Sequence, residues 1–267
     1  MLIIGERINT SRKSIAKAVA DKDKDFICNE VKIQEKAGAD YIDVNTGTFA
    51  DQEIKTLSWL VEIVQNNTKL PLCLDSADPN VIKEIIPMLK KKPIVNSITL
   101  ERKRFDILLP IIIEKKCKVI CLCQGDGKVG QTASEKLELA GQLIQELSQA
   151  GENLDDIYID PLVFSLATDT GAALNTLNAI KAIMQEYNGV HTICGLTNIS
   201  YGLPERKLIN SAFLISAIMM GLDAVIIDPT NKQFFASLKA ALLINDKDHY
   251  AMEYIKAFRQ GFLNNYF

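Results

Sequence analysis

The sequence predicts an α/β protein, a parallel (β/α)8 barrel forming a single domain over residues 1–267. Three observations carry this. Eight short apolar runs alternate with segments whose apolar residues recur at helical spacing. The runs keep ending on a carboxylate or an amide, as barrel strands do where they reach an active-site face. No linker, low-complexity stretch or composition shift divides the 267 residues, and 48% of them are hydrophobic, enough for one large core. Strand count alone does not close a sheet, so a doubly wound open sheet is the alternative.

Strands are expected near 2–5, 40–44, 71–75, 93–96, 118–123, 156–160, 191–196 and 222–227. LIIGERIN opens the chain and ends on Glu6, Arg7 and Asn9. The helix over 24–38 places Ile27, Val31 and Ile33 on its apolar side and stops at Gly38. YIDVN ends on Asp43 and Asn45, and the amphipathic segment 52–67 gives way to Pro71. PLCLDS ends on Asp75. Pro79 then opens a helix at the first-turn position it favours, and Pro87 should kink it. PIVNS ends on Asn96. After the strand KVICLC, the helix over 132–151 takes Ser134 as N-cap and Gly151 as its stop. DIYIDP ends on Asp160, ICGLTN on Asn198 and LDAVIIDP on Asp228. Helices over 170–189 and 205–221 lie among these last strands. The tail from 231 to 263 is helical with a break near Asn245 and Asp246. Segment 208–220, LINSAFLISAIMM, is apolar nearly all round, which suits a helix buried between the barrel and a further body, such as a second subunit.

A net charge of −3 supplies no basic stripe for nucleic acid. The lysines at 90–92 and 115–118 are expected to cap helix carbonyls and face solvent. No secretory signal or membrane-length apolar stretch is visible, so a cytoplasmic protein is expected. Cys73, Cys121, Cys123 and Cys194 fall in strands and read as reduced core thiols. They lack the paired spacing and neighbouring histidines of a metal site, and none is expected. His191 and His249 have no triad or metal setting. GDGKVG at 125–130 matches GxGxxG but follows the fifth strand rather than the first, so it reads as a mobile loop at the barrel mouth.

Asp75, Asn96 and Asp160 carry the chemistry. A carboxylate accepts two hydrogen bonds in one plane, and an amide both donates and accepts. A 2-amino-4-oxo-pyrimidine edge presents adjacent N–H donors in the matching arrangement. Two Asp and one Asn on different strand ends can therefore surround a pterin. Taken one at a time, each could equally cap a loop or a helix start.

The segments IGERIN, DVN at 43–45, LCLDS at 72–76, VNS at 95–97, IYIDP at 157–161 and GLTN at 195–198 together resemble the pterin-binding methyltransferases. The resemblance is closest to methyltetrahydrofolate:corrinoid protein methyltransferases. It is less close to the pterin domain of cobalamin-dependent methionine synthase, and more distant for dihydropteroate synthase. It spans essentially the whole chain, and several motifs in register are more specific than any one. It implies a TIM barrel that binds tetrahydrofolate or 5-methyltetrahydrofolate in its mouth and moves a methyl group between N5 and cobalt. Asp75, Asn96 and Asp160 would hold the ring, and Asn198 would reach N5. Arg206, Gly195, Asn9, Asp43 and Asn45 would complete the site, with Asn198 and Asp160 as the catalytic residues. Thr197 stands where the family often has Ser, and TSRKS after Asn9 departs from its glycine-containing loop. The corrinoid-binding DxHxxG pattern is absent, so the corrinoid (cobalamin) would arrive on a partner protein. A homodimer is expected, as in relatives. The rivals are a dihydropteroate synthase-like condensation, a non-catalytic folate-binding barrel, and a nucleotide-dependent oxidoreductase built on GDGKVG.

Overall fold

The computed structural model describes residues 1–263. Its main sheet runs β1 (Leu2–Asn9), β2 (Tyr41–Asn45), β3 (Leu72–Asp75), β4 (Ile94–Ile98), β5 (Lys118–Leu122), β8 (Ile157–Asp160), β9 (His191–Thr192) and β10 (Ala224–Ile227). All neighbours are parallel, and β10 pairs with β1. The ring closes where Gly195 bridges Ile226 and the Ile226 N–H donates to the Cys194 carbonyl at 3.1 Å. The open sheet is thereby excluded, and the fold is a (β/α)8 TIM barrel. The strands β6 (Gln124–Gly125) and β7 (Lys128–Val129) are a separate hairpin.

Period-two alternation sends each strand's residues to two different layers. Ile4, Tyr41, Cys73, Ile94, Ile120 and Tyr158 fill the barrel interior. Ile42, Val44, Leu74, Val95 and Val119 point outward into the layer between strands and helices. The helices are α1 (Lys13–Ala20), α2 (Lys24–Lys36), α3 (Glu53–Asn67), α4 (Pro79–Ile85), α5 (Arg102–Lys115), α6 (Ala133–Gln149), α7 (Ala172–Glu186), α8 (Arg206–Met219), α9 (Lys232–Ile244) and α10 (Met252–Arg259). Among the described residues no helix is long and apolar enough to cross a membrane.

Several local expectations change. Helix α6 is capped by Thr132 rather than Ser134. Thr132 and Glu135 form a capping box, with the Glu135 side chain returning to the Thr132 N–H at 3.0 Å. Pro87 terminates a helix instead of kinking it, because α4 stops at Ile85 and Pro87 sits in a 3-10 turn. In α2 the buried side includes Gln34, which accepts the Arg7 N–H at 3.0 Å, while Ile33 is half-buried. The GDGKVG segment is not a free loop. Its hairpin is tied down by an Asp126 carboxylate that accepts the Arg102 N–H at 3.3 Å and by a Lys128–Glu138 ion pair at 2.8 Å. Lys92 and Lys118 do more than cap helices: both pair with the buried Asp156, at 2.5 and 3.3 Å. Helix α8 buries Phe213, Leu214, Ala217 and Ile218 but leaves Leu208, Ile215 and Met219 at 67%, 36% and 45% exposure.

The end of the barrel where the strands begin is a charged seam. His191 Nδ1 lies 2.6 Å from Asp223 Oδ2, its Nε2 lies 3.2 Å from Asp155, and its ring stacks on Tyr158 at 4.7 Å. His191, at the start of β9, is thus on the face away from the mouth.

Candidate functional site

The same alternation that fills the interior builds the mouth. Continuing from Ile4, Tyr41, Cys73, Ile94 and Tyr158 two residues along each strand reaches Glu6, Asp43, Asp75, Asn96 and Asp160. Register sets Asn45, Asp75 and Asn96 side by side, while Asp43 is opposite Cys73, one inward position deeper, and Asp160 is opposite Leu122, one inward position further along than Asn96. A ring of inward carboxyl and amide groups therefore caps an otherwise apolar interior.

Burial decides their protonation. Asp43 is buried, and desolvation followed by the charge of Asp75 lifts its carboxyl well above the usual range. Hydrogen bonds with Cys73 and Asn96 only partly oppose this. Asp75 is raised mainly by burial, against a hydrogen bond from Asn45 and the charge of Arg104. Asp160 is pushed up to about 6 by burial, although it accepts the Leu162 N–H at 2.7 Å and a backbone bond from Gly195. The buried atoms Asp43 Oδ1, Thr46 Oγ1 and Glu53 Oε1 have no hydrogen-bond partner. Buried polar atoms left unpaired on one side of a mouth are where a polar ligand gains most.

The structure brings Asp43, Asn45, Asp75, Asn96, Asp160 and Gly195 together. Asn9 and Asn45 also serve their own loops, their side-chain oxygens accepting the N–H of Ser11 at 2.9 Å and of Gly47 at 3.0 Å. A Cβ at Gly195 would lie 3.5 Å from Asn198 Nδ2, an ordinary van der Waals contact, so Gly195 and that amide are neighbours. Asn198 is exposed, on the 3-10 turn Leu196–Ser200. Arg206 fixes that turn, donating to the Thr197 carbonyl at 2.8 Å and to Ser200 Oγ at 3.0 Å.

Sequence reasoning passes over four residues. Glu6 and Asp228 are visible as strand ends but carry no role there. Arg104 donates to the carbonyls of Ser97, Ala77 and Ser76 at 2.6, 2.6 and 2.8 Å, joining the end of β4 to the loop after β3. Lys136 is fully buried and donates to the carbonyls of Pro161 and Leu162 at 2.5 and 2.6 Å, bracing the turn that follows Asp160. That turn holds Leu162 at φ 60°, a conformation a branched residue rarely takes unaided. The available signals are parity for Glu6 and, for Lys136, a cation on the inner face of an amphipathic helix.

A barrel whose mouth is ringed by inward Asp and Asn is a small-molecule enzyme scaffold. The chain matches the family described as "Pterin binding enzyme" over residues 5–228, and it belongs to that family. It is 35% identical over 263 residues to a methylcorrinoid:tetrahydrofolate methyltransferase of Eubacterium limosum, covering 98% of this chain and 97% of that protein. It is 28% identical over 240 residues to methionine synthase of Mycobacterium tuberculosis, covering 85% of this chain but 20% of that longer protein. Among solved structures it resembles dihydropteroate synthase of Xanthomonas albilineans in complex with 7,8-dihydropteroate. There the TM-score is 0.69 at 16% identity, covering 93% of this chain and 94% of the other. The corresponding enzyme of Coxiella burnetii with pteroic acid gives 0.67 at 17% identity, covering 91% and 93%. At such identities the likeness to these two structures is one of fold.

Proposed function

We propose that this protein is a methyltransferase that moves a methyl group between N5 of tetrahydrofolate and the cobalt of a separate corrinoid protein, with no covalent enzyme intermediate. The observation that carries the reading is the ring of inward Asp75, Asn96 and Asp160 on three strand ends of a family whose members bind pterins. The two carboxylates accept the N–H donors of the pterin edge, and Asn96 meets its mixed donor–acceptor side. Asp43, Asn45, Asn9, Gly195 and Arg206 shape the rest of the pocket, and Asn198 lies toward N5. Methyl transfer is substitution at carbon, so positioning and electrostatics do the work. The barrel thiols suit a direct transfer: burial holds Cys73, Cys121, Cys123 and Cys194 protonated.

In this reading residues 1–267 act as one domain in the cytoplasm, and the exposed apolar stripe of α8 is the contact of a homodimer. Light scattering at micromolar concentration is expected to give the dimer mass. The decisive experiment is calorimetric titration with tetrahydrofolate, followed by transfer to or from a methylcorrinoid. Saturable folate binding without transfer leaves a folate-binding barrel, and no binding refutes the reading.

A further inference from the structure

Lys136, near the start of α6, is fully buried, and its ammonium has three N–H donors. They go to the carbonyls of Pro161 at 2.5 Å and Leu162 at 2.6 Å and to Thr176 Oγ1 at 3.4 Å, all of them neutral oxygens. An ammonium whose hydrogen-bond partners are all neutral is a costly way to fill a core, because no opposite charge beside it offsets its desolvation. The fold nevertheless makes room for it. Gly130, the last glycine of GDGKVG, has no positive φ to call for glycine, but a Cβ there would lie 2.9 Å from Lys136 Cγ.

What the ammonium holds is the turn that fixes Asp160. Pro161 and Leu162 follow Asp160 directly, and the Leu162 N–H donates back to Asp160 Oδ1 at 2.7 Å. Thr176 Oγ1 donates to the Leu162 carbonyl at 3.2 Å, so α6 and α7 grip the same peptide. Leu162 depends on that grip, since its φ of 60° is left-handed and a leucine adopts it only where the surroundings impose it. The contacts therefore run from Lys136 through two carbonyls to one oxygen of the Asp160 carboxylate. Leu162 and Gly195 N–H groups take two acceptor sites of that carboxylate, and about two of its roughly four stay open for a ligand.

We propose that Lys136 is a positioning residue of the pterin site: it fixes the Asp160 carboxylate in the orientation and the charge state that accept the ring's N–H donors. The role rests on the reading of Asp160 as a ring acceptor. Around Asp160, Cys123 after β5 and Cys194 after β9 are thiols that burial keeps neutral, and Asp169 before α7 is the other acid facing Lys136. Burial pushes the Asp160 carboxyl up to about 6, and the Leu162 N–H and the Lys136 charge oppose that rise. Without the ammonium, Asp160 takes up its proton at a higher pH. A protonated acid presents an O–H donor where the ring edge needs acceptors.

The test is calorimetric titration with tetrahydrofolate from about pH 5.5 to 8.5. In the wild type the affinity should fall as pH drops through about 6, where Asp160 protonates. Lys136→Met should move that fall to higher pH by about one unit, which alone weakens binding about fivefold at pH 6, and should leave affinity closest to wild type at pH 8.5. In an Asp160→Asn background the same Lys136→Met should change affinity less than about twofold and shift nothing, since the residue it acts through is gone. A loss equal at every pH, an equal loss in the Asp160→Asn background, or an unchanged titration would each overturn the proposal. Should Lys136→Met not fold, Lys136→Gln carries the test. It keeps N–H donors for the carbonyls and loses the charge, so the fall must still move to higher pH, and an unmoved fall overturns the role. A wild-type protein that binds no folate, or Asp160→Asn binding it as tightly as wild type, refutes the pterin reading itself and the proposal with it.

Discussion

Replacing Arg104 with Met should loosen the site from behind. The guanidinium makes three charge-assisted hydrogen bonds to carbonyls, at 2.6, 2.6 and 2.8 Å. Bonds of this kind contribute about 1.5–3 kcal/mol each, and losing all three leaves carbonyls of β4 and of the loop after β3 unpaired. Against that, burial penalises the charged guanidinium, which lowers the Arg104 pKa, and Met is relieved of that cost. Arg104 is half-buried, so water reaches some of the freed carbonyls. The net loss should be about 2–3 kcal/mol, or roughly 4–6 °C in Tm for a chain of this size. A second effect falls on the ligand. Arg104 is the cation that restrains the raised pKa of Asp75, so its removal protonates Asp75 further and weakens acceptance from the pterin. Folate affinity should therefore fall, and fall more at pH 6 than at pH 8. Arg104→Lys should sit between, because an ammonium keeps the charge but cannot span three carbonyls. Thermal denaturation and calorimetry at the two pH values read both effects. Arg104→Met within about 0.5 kcal/mol of wild type, with unaltered folate affinity, would refute the reasoning.

Three further outcomes are expected. Asp75→Ala and Asp160→Ala should each weaken tetrahydrofolate binding by about 1.5–3 kcal/mol in calorimetry, the contribution of a hydrogen bond to a charged group. Asn198→Ala should slow single-turnover methyl transfer by one to several factors of about ten under saturating folate, since an amide that follows N5 through its protonation states acts mostly in the transition state. The third concerns His191, whose pKa is raised, chiefly by its bond to Asp223. A raised folded-state pKa stabilises fully below the ordinary histidine value and is lost as pH rises through the folded value. The Tm difference between wild type and His191→Gln should therefore shrink from pH 6 to pH 9, and a difference constant across that range would exclude the ion pair as its source.

The barrel was legible because the chain switches cleanly between a period of two and a helical period, and because strand ends need polar groups. Asp75, Asn96 and Asp160 could be chosen because each follows an apolar run in phase with the barrel interior. Glu6 was legible by parity, two residues beyond the interior Ile4, but nothing in the sequence set it apart in role from Arg7 and Asn9 on the same strand end. Arg104 gave no signal, and Lys136 only that of a cation on an inner helix face. Both sit on helices, and their partners are loop carbonyls whose positions depend on how α5 and α6 dock on β4 and β8. Leu208, Ile215 and Met219 are as apolar as the residues of α8 that pack, so the sequence does not say which side of the helix meets the barrel. Thr132 outcompetes Ser134 as a cap because only Thr132 has Glu135 three positions on.

The ring is fastened unevenly. Elsewhere around it neighbouring strands share ladders of two or more paired residues, but between β9 and β10 the join is one bridge, Gly195 to Ile226. A cylinder with one weak stave opens there first, and the loop bearing Asn198 hangs from that stave. Local opening of the wall is therefore least costly beside the turn that bears Asn198. Asp75 and Asn96, on the far side, are seated instead on the paired ladders of β2, β3 and β4.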